Sequence, residues 1–212
     1  MRPRTNEEFK QDLVNWLVAK LTTEPESATD IFESILKLEL WKLAGSSIQF
    51  GFEPTWEIRL AFQSHWLTSG HHIRKQILDD RRTANLLKHM MPAYGGSEKT
   101  LYRGENKWNW DNGQIGFCWT DKLQVAKNFA GGLHNDEFGA VIIRGTFPAT
   151  TIIAGVEPEQ THTIQNEERE FTIDPFCNIS VEVIECHGPY DETGNYKPNW
   201  PLPTPVTRKC QR

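Results

Sequence analysis

The hydrophobic period of this 212-residue chain changes at Pro92-Ala93-Tyr94-Gly95-Gly96. Before that point apolar residues recur three and four positions apart, the spacing of one helix face. After it, short apolar or alternating runs are separated by turn residues, the spacing of strands. The pattern predicts an α+β protein with a helical N-terminal region (1–95), a mostly antiparallel body (96–186) and a tail (187–212). Five of the twelve prolines fall in that tail, which therefore reads as extended.

Thr5 and Glu8 have the spacing of a capping box ahead of Phe9, Leu13, Trp16, Leu17 and Leu21. A second helix is expected from Ser27 and Asp30 through Ile31, Phe32, Ile35, Leu36 and Trp41 to Gly45. A third should run from Thr55 to Leu67 and stop at Ser69-Gly70. A fourth, through Ile73, Ile77, Leu78, Leu86 and Leu87, must end before Pro92. Strands are expected at 100–103, 115–119, 140–147, 150–153, 168–173 and 179–185. One helix, capped by Asp121 and closed by Gly131-Gly132, interrupts them.

With 38% hydrophobic and 24% charged residues the chain reads as globular, not disordered. The formal charge of −5 is uneven: residues 1–100 carry 13 basic against 13 acidic residues, and residues 101–212 carry 10 against 15. The absence of a basic cluster argues against tight passive binding of a nucleic-acid duplex. No apolar run approaches the roughly 18–20 residues that span a bilayer, and no apolar segment follows Arg2 and Arg4. Cys118, Cys177, Cys186 and Cys210 show neither metal spacing nor a disulfide framework, so a cytoplasmic protein with reduced thiols and no membrane association is expected. His65, His71 and His72 read as surface histidines pointing in different directions, and no metal is expected.

Three segments carry candidate chemistry. Leu101-Tyr102-Arg103-Gly104 places an arginine near a strand end, where its planar fork suits a diphosphate, although a lone arginine reads equally as a surface or interface residue. Gly104 either admits a ligand to the backbone or makes a turn. Gly116-Phe117-Cys118-Trp119-Thr120 runs into a helix, so Thr120 or Asp121 either holds neighbouring groups or caps that helix. Cys118 has no base at an interpretable distance and reads as a buried thiol. In Glu168-Arg169-Glu170 an extended strand puts both carboxylates on one side and Arg169 on the other. Such a pair suits N-glycosidic cleavage, one carboxylate stabilising an oxocarbenium-like transition state and the other activating a nucleophile. The alternative is an acidic edge strand that resists aggregation.

In order and spacing these segments resemble the mono-ADP-ribosyltransferases, and among them the Arg–Ser–Glu class of bacterial toxins and phage enzymes. The resemblance covers about residues 100–186 and implies a split sheet with NAD as co-substrate. It matches Arg103 to the arginine that holds the NAD phosphates, with Tyr102 and Gly104 beside it. Cys118-Trp119-Thr120 falls where the family has Ser-Thr-Ser, which implies that these three meet the NAD, with a departure at Cys118 and a milder one at Thr120. Glu170 matches the catalytic glutamate, and Glu168 the glutamate two residues earlier. It implies further that Gly131–Gly139, with His134, Asn135 and Asp136, covers the nicotinamide and phosphate, and that Phe129 or Phe138, each equally readable as core, stacks on the nicotinamide ring. His162 or Gln165, in 154–167, would meet the acceptor.

The resemblance makes protein arginine the first acceptor, with an RNA or DNA base next. Trp108 and Trp110 are the tryptophans expected at a ligand, whereas Trp16, Trp41, Trp56 and Trp66 read as core. Two other readings use the same residues: an NAD glycohydrolase, and an inactive NAD- or protein-binding module. Family habit adds a bacterial or phage origin, a toxin or antiviral-defence role, and a cognate antitoxin or regulator as partner.

Overall fold

The structure is a computed structural model describing residues 5–132, 138–156, 168–177 and 179–188. The chain divides into two units, Met1–Ala93 and Tyr94–Arg212. The boundary lies two residues before the expected one because Tyr94 already belongs to the second unit, where its N–H donates to the Ile153 carbonyl. No described helix is long and apolar enough to cross a membrane.

The first unit contains α1 (Asn6–Thr23), α2 (Ala28–Lys37), α3 (Trp41–Gly51), α4 (Trp56–Ile77) and α5 (Asp80–Met90). The capping box forms as read, Thr5 Oγ1 accepting from Glu8 N–H while Glu8 accepts from Thr5 N–H. The expected second helix is two helices, because Glu39 takes a left-handed φ of 55° and Leu40 N–H turns back to the Ile35 carbonyl. Conversely, the expected third and fourth helices are continuous through the buried Ser69 and Gly70. The break falls instead at Leu78 (φ 58°), after which Asp79 caps α5 through Arg82 N–H.

The buried face of α1 is Val14, Leu17, Val18 and Leu21, so Phe9 and Trp16 stand outside, the latter under the Lys20 ammonium. Trp56 is likewise exposed, contrary to expectation, while Trp41 and Trp66 are core. His65 is not a surface histidine. It is buried, its ring stacked against Phe32 and Trp41. The His71 and His72 rings, expected to diverge, lie 3.7 Å apart.

The second unit carries β1 (Lys99–Asn106), α6 (Lys107–Asp111), β2 (Cys118–Thr120), α7 (Leu123–Gly131), β3 (Ala140–Phe147), β4 (Ile152–Ala154), β5 (Glu170–Ile173) and β6 (Ser180–His187). The strands form one antiparallel six-stranded sheet in the order β4-β5-β2-β1-β3-β6. β1 pairs with β3 along its whole length, from Lys99↔Phe147 to Asn106↔Ala140. With β2 it meets at Tyr102↔Thr120. The sheet is thus two three-stranded halves joined at a narrow seam. One face buries Leu101, Trp119, Val141, Ile143, Phe147, Phe171 and Ile173. On the other, α7 lies against Ala140, Ile142 and Tyr102 through Ala126 and Ala130. A Cβ at Gly104 would collide with the Ala126 carbonyl and the Ala130 nitrogen, so the glycine lets α7 touch the sheet. Helix α6 follows β1 directly, and it buries Trp110, contrary to expectation, while leaving Trp108 exposed.

Burial holds the His65 imidazole below its ordinary pKa of 6.5, partly offset by Glu33, 3.5 Å from Nδ1. The folded state therefore binds fewer protons than the unfolded state, and stability falls as pH drops below that value. We expect amides of α2 and α4 to exchange faster at pH 5.5 than at 7.5 after correction for intrinsic rates. His65→Phe should flatten that dependence.

Candidate functional site

At the seam, strand pairing between β1 and β2 is largely replaced by side-chain bonds. Leu101, Arg103 and Glu105 alternate onto the same face of β1. Arg103 Nη1 donates to the Cys118 carbonyl at 2.6 Å, and its Nε to Glu105 Oε2 at 2.7 Å. Glu105 Oε2 also accepts from Gly116 N–H at 3.2 Å; Oε1 accepts from Asn106 N–H and Asn109 Nδ2, each at 3.0 Å. A Cβ on Gly116 would collide with Arg103 Nη2, so a glycine there gives the guanidinium its place. Both side chains are buried, at 11% and 2% exposure. Burial opposes the Arg103 charge, but Glu105, Cys118 and Glu170 around it raise its pKa above the ordinary arginine value.

Glu170 opens β5 opposite Thr120, which in turn pairs with Tyr102. Cross-strand partners share a face, so Glu170, Thr120 and Tyr102 form one row. The residue is half-buried overall, but its Oε1 is fully covered and finds no hydrogen-bond partner among the described residues. Burial pushes its carboxyl up to about 7, against the Cys118 thiol that donates to it and the Arg103 charge, with Glu168 adding to the rise.

Glu168 does not lie in the strand. Arg169 has φ 46°, a left-handed conformation costing about 1–2 kcal/mol for a residue with a side chain. The turn leaves Glu168 exposed ahead of β5, so the two carboxylates do not share one extended face as the sequence predicts. The strain is anchored from β2. Thr120 Oγ1 donates to the Glu168 carbonyl at 2.7 Å and accepts from Lys122 N–H at 3.1 Å. Asp121 is not a helix cap, since Lys122 holds that position. Instead it receives Arg169 Nε at 2.8 and 3.0 Å and Nη2 at 2.5 Å.

The structure therefore brings Arg103, Cys118, Thr120 and Glu170 together, with Glu168 at the rim. Trp119, expected at a ligand, points into the core, where its Nε1 donates to the Gly116 carbonyl and its ring meets Phe147 edge-on. Trp110 is likewise core. Gly104 faces α7 and not an open cleft, Tyr102 packs against the same helix, and Phe129 is half-buried on α7. Phe138 is exposed. His134, Asn135, Asp136, His162 and Gln165 lie outside the described residues. Glu105 and the Asp121–Arg169 pair are functional candidates that the sequence reading missed. Glu105 sits two residues from Arg103 on one strand face, the signal that could have found it. Compared with protein-family models, curated proteins and solved structures, the chain matches none.

Removing one partner of a buried ion pair strands the other, so Glu105→Ala should cost about 3–5 kcal/mol in a denaturant titration. Glu182→Ala, which breaks the half-exposed pair with Arg144, should cost less than about 1 kcal/mol in the same experiment. Because the folded Glu170 carboxyl lies above its unfolded value of 4.5, its stabilising contribution is present at low pH and is lost as pH rises through about 7. Glu170→Gln should thus gain on wild type by about 2–3 kcal/mol between pH 5 and 8, read from melting curves.

Proposed function

We propose that the chain cleaves the nicotinamide–ribose bond of NAD and transfers ADP-ribose to a macromolecular acceptor, protein arginine first. The observation that carries this reading is the buried Glu170 carboxylate, with one oxygen lacking a partner among the described residues, set near a buried arginine at the seam. The narrow seam between two three-stranded halves supports the reading of a split sheet of the ADP-ribosyltransferase type, and the residues fit the co-substrate. Arg103 supplies a fixed cation for a diphosphate, already oriented by Glu105 through Nε. Glu170 supplies an acceptor for a ribose hydroxyl, and its negative charge stabilises the oxocarbenium-like transition state. The C–N bond breaks with its electron pair leaving on nicotinamide, which departs neutral. The acceptor's nucleophilic atom then bonds to the ribose carbon and gives up its proton to Glu168. The difference in exposure between the two carboxylates suits that division, since a group that meets a macromolecule must stand at the surface.

Incubating the chain with NAD labelled in the ADP-ribose part, together with cell lysate, tests the proposal. Nicotinamide release and label that becomes soluble on protease treatment are expected, with release rising as pH passes through about 7 as Glu170 ionises. Glu170→Gln should lower release by about 10²-fold or more, as loss of a group that stabilises transition-state charge does. Label sensitive to nuclease would move the acceptor to RNA or DNA. Release without incorporated label would make the chain a glycohydrolase. No release from wild type would refute the reading.

A further inference from the structure

The left-handed turn at Arg169 separates two carboxylates that an unbroken strand would hold side by side. Strain of this kind persists only where surrounding groups over-determine it. Here three contacts do so: the Thr120 hydroxyl on the Glu168 carbonyl, and the two arms of Arg169 on Asp121. Thr120 ends β2, the strand that also carries Cys118 and pairs with Glu170, and Asp121 follows it directly. One short strand therefore fixes Glu170 by ladder pairing and Glu168 by side-chain bonds. We propose that Asp121 and Arg169 are positioning residues whose ion pair holds the acceptor-side carboxylate of Glu168 out of β5 and at a fixed offset from Glu170.

This rests on the transferase reading. Neither side chain needs to touch a substrate, because Arg169 acts through its own backbone turn and Asp121 through Arg169. The consequence is selective. Glu170 is held by its pairing with Thr120 when the ion pair is lost, whereas Glu168 keeps, among the described residues, the carbonyl bond from Thr120. Transfer should suffer more than nicotinamide release, since a misplaced base loses the acceptor step first.

The test uses Asp121→Asn, Arg169→Gly, and the exchanged pair Asp121→Arg with Arg169→Asp, all in the full chain. Arg169→Gly keeps a residue at ease with positive φ while deleting the ion pair, which separates backbone from charge. Aspartate tolerates the left-handed region, so the exchanged pair can restore the contact. Label incorporated from NAD into lysate macromolecules, divided by nicotinamide released, is expected to fall about tenfold in both single variants and to recover at least half-way in the exchanged pair. Amides of residues 168–170 should exchange faster in the single variants and return towards wild type in the exchanged pair. Unaltered exchange, or faster exchange with an unaltered ratio, overturns the proposal. Wild type that releases no nicotinamide refutes the transferase reading and this inference with it. Active wild type with variants indistinguishable from it removes the positioning role alone.

Discussion

A buried guanidinium needs counter-charge and acceptors, and the second unit is arranged around meeting that need for Arg103. Its Nε and Nη1 are bonded to Glu105 and the Cys118 carbonyl. Those bonds stand where β1 and β2 exchange little strand pairing beyond Tyr102↔Thr120. The Gly116 N–H, in the segment leading into β2, is taken up by Glu105 as well. Backbone groups at a gap in a sheet are expensive to bury unpaired. Here a charged pair on β1 supplies the missing partners, and it joins the two halves of the sheet while fixing the cation. Stability and the proposed chemistry share one set of bonds.

The carboxylates follow the opposite logic. Glu105 is saturated with donors and buried, as a structural carboxylate must be. Glu170 is nearly as covered at Oε1, yet that oxygen finds no partner among the described residues, and burial drives its pKa up. Desolvation that costs stability is tolerated where a ligand supplies the missing bond, and perturbed carboxyls gather at functional sites for this reason. Two glutamates on neighbouring segments thus differ in role because their donor sets differ.

What the sequence made legible follows from which physics is local. The change of period at residues 92–96 separated the helical unit from the sheet, because side-chain burial imposes 3.6- and 2-residue repeats directly. The capping box at Thr5 and Glu8 and the bounds of β3 were readable on the same ground. The failures share a cause. Glu39, Leu78 and Arg169 take positive φ although none is glycine, and each displaces an element end from where glycine placed it or breaks an expected strand. Tertiary contacts select such conformations, and no local spacing announces them. The tryptophans show the same limit: α1 exposes Trp16 and α6 buries Trp110, the reverse of what their polar and apolar neighbours suggest. Among candidate site residues, Arg103, Thr120 and Glu170 could be named from sequence because strand alternation and order place them. Glu105 was open to the same alternation argument, two residues from Arg103, whereas Asp121 could not be named, since its partner lies forty-eight positions away.

The seam also explains why the candidate site lies there. Elsewhere in the sheet, pairing between β1, β3 and β6, interrupted by one bulge at Ile142/Ile143, commits the paired backbone groups to one another. Where pairing narrows, side chains must enter to complete the hydrogen bonds, and side chains can carry charge that backbone groups lack. A cation fixed on one half and a desolvated carboxylate on the other are then held close without competing for the same donors. The Cys118 segment lies between them, its carbonyl accepting from Arg103 and its thiol donating to Glu170. A shift of β2 relative to β1 would therefore move both charged groups at once. The Asp121–Arg169 pair at the end of β2 resists that shift on the β5 side, and Glu105 resists it on the β1 side. The three-residue β2 and the segment leading into it are thus tied to their neighbours by side-chain bonds from Arg103 and Glu105 as well as by the ladder with β5.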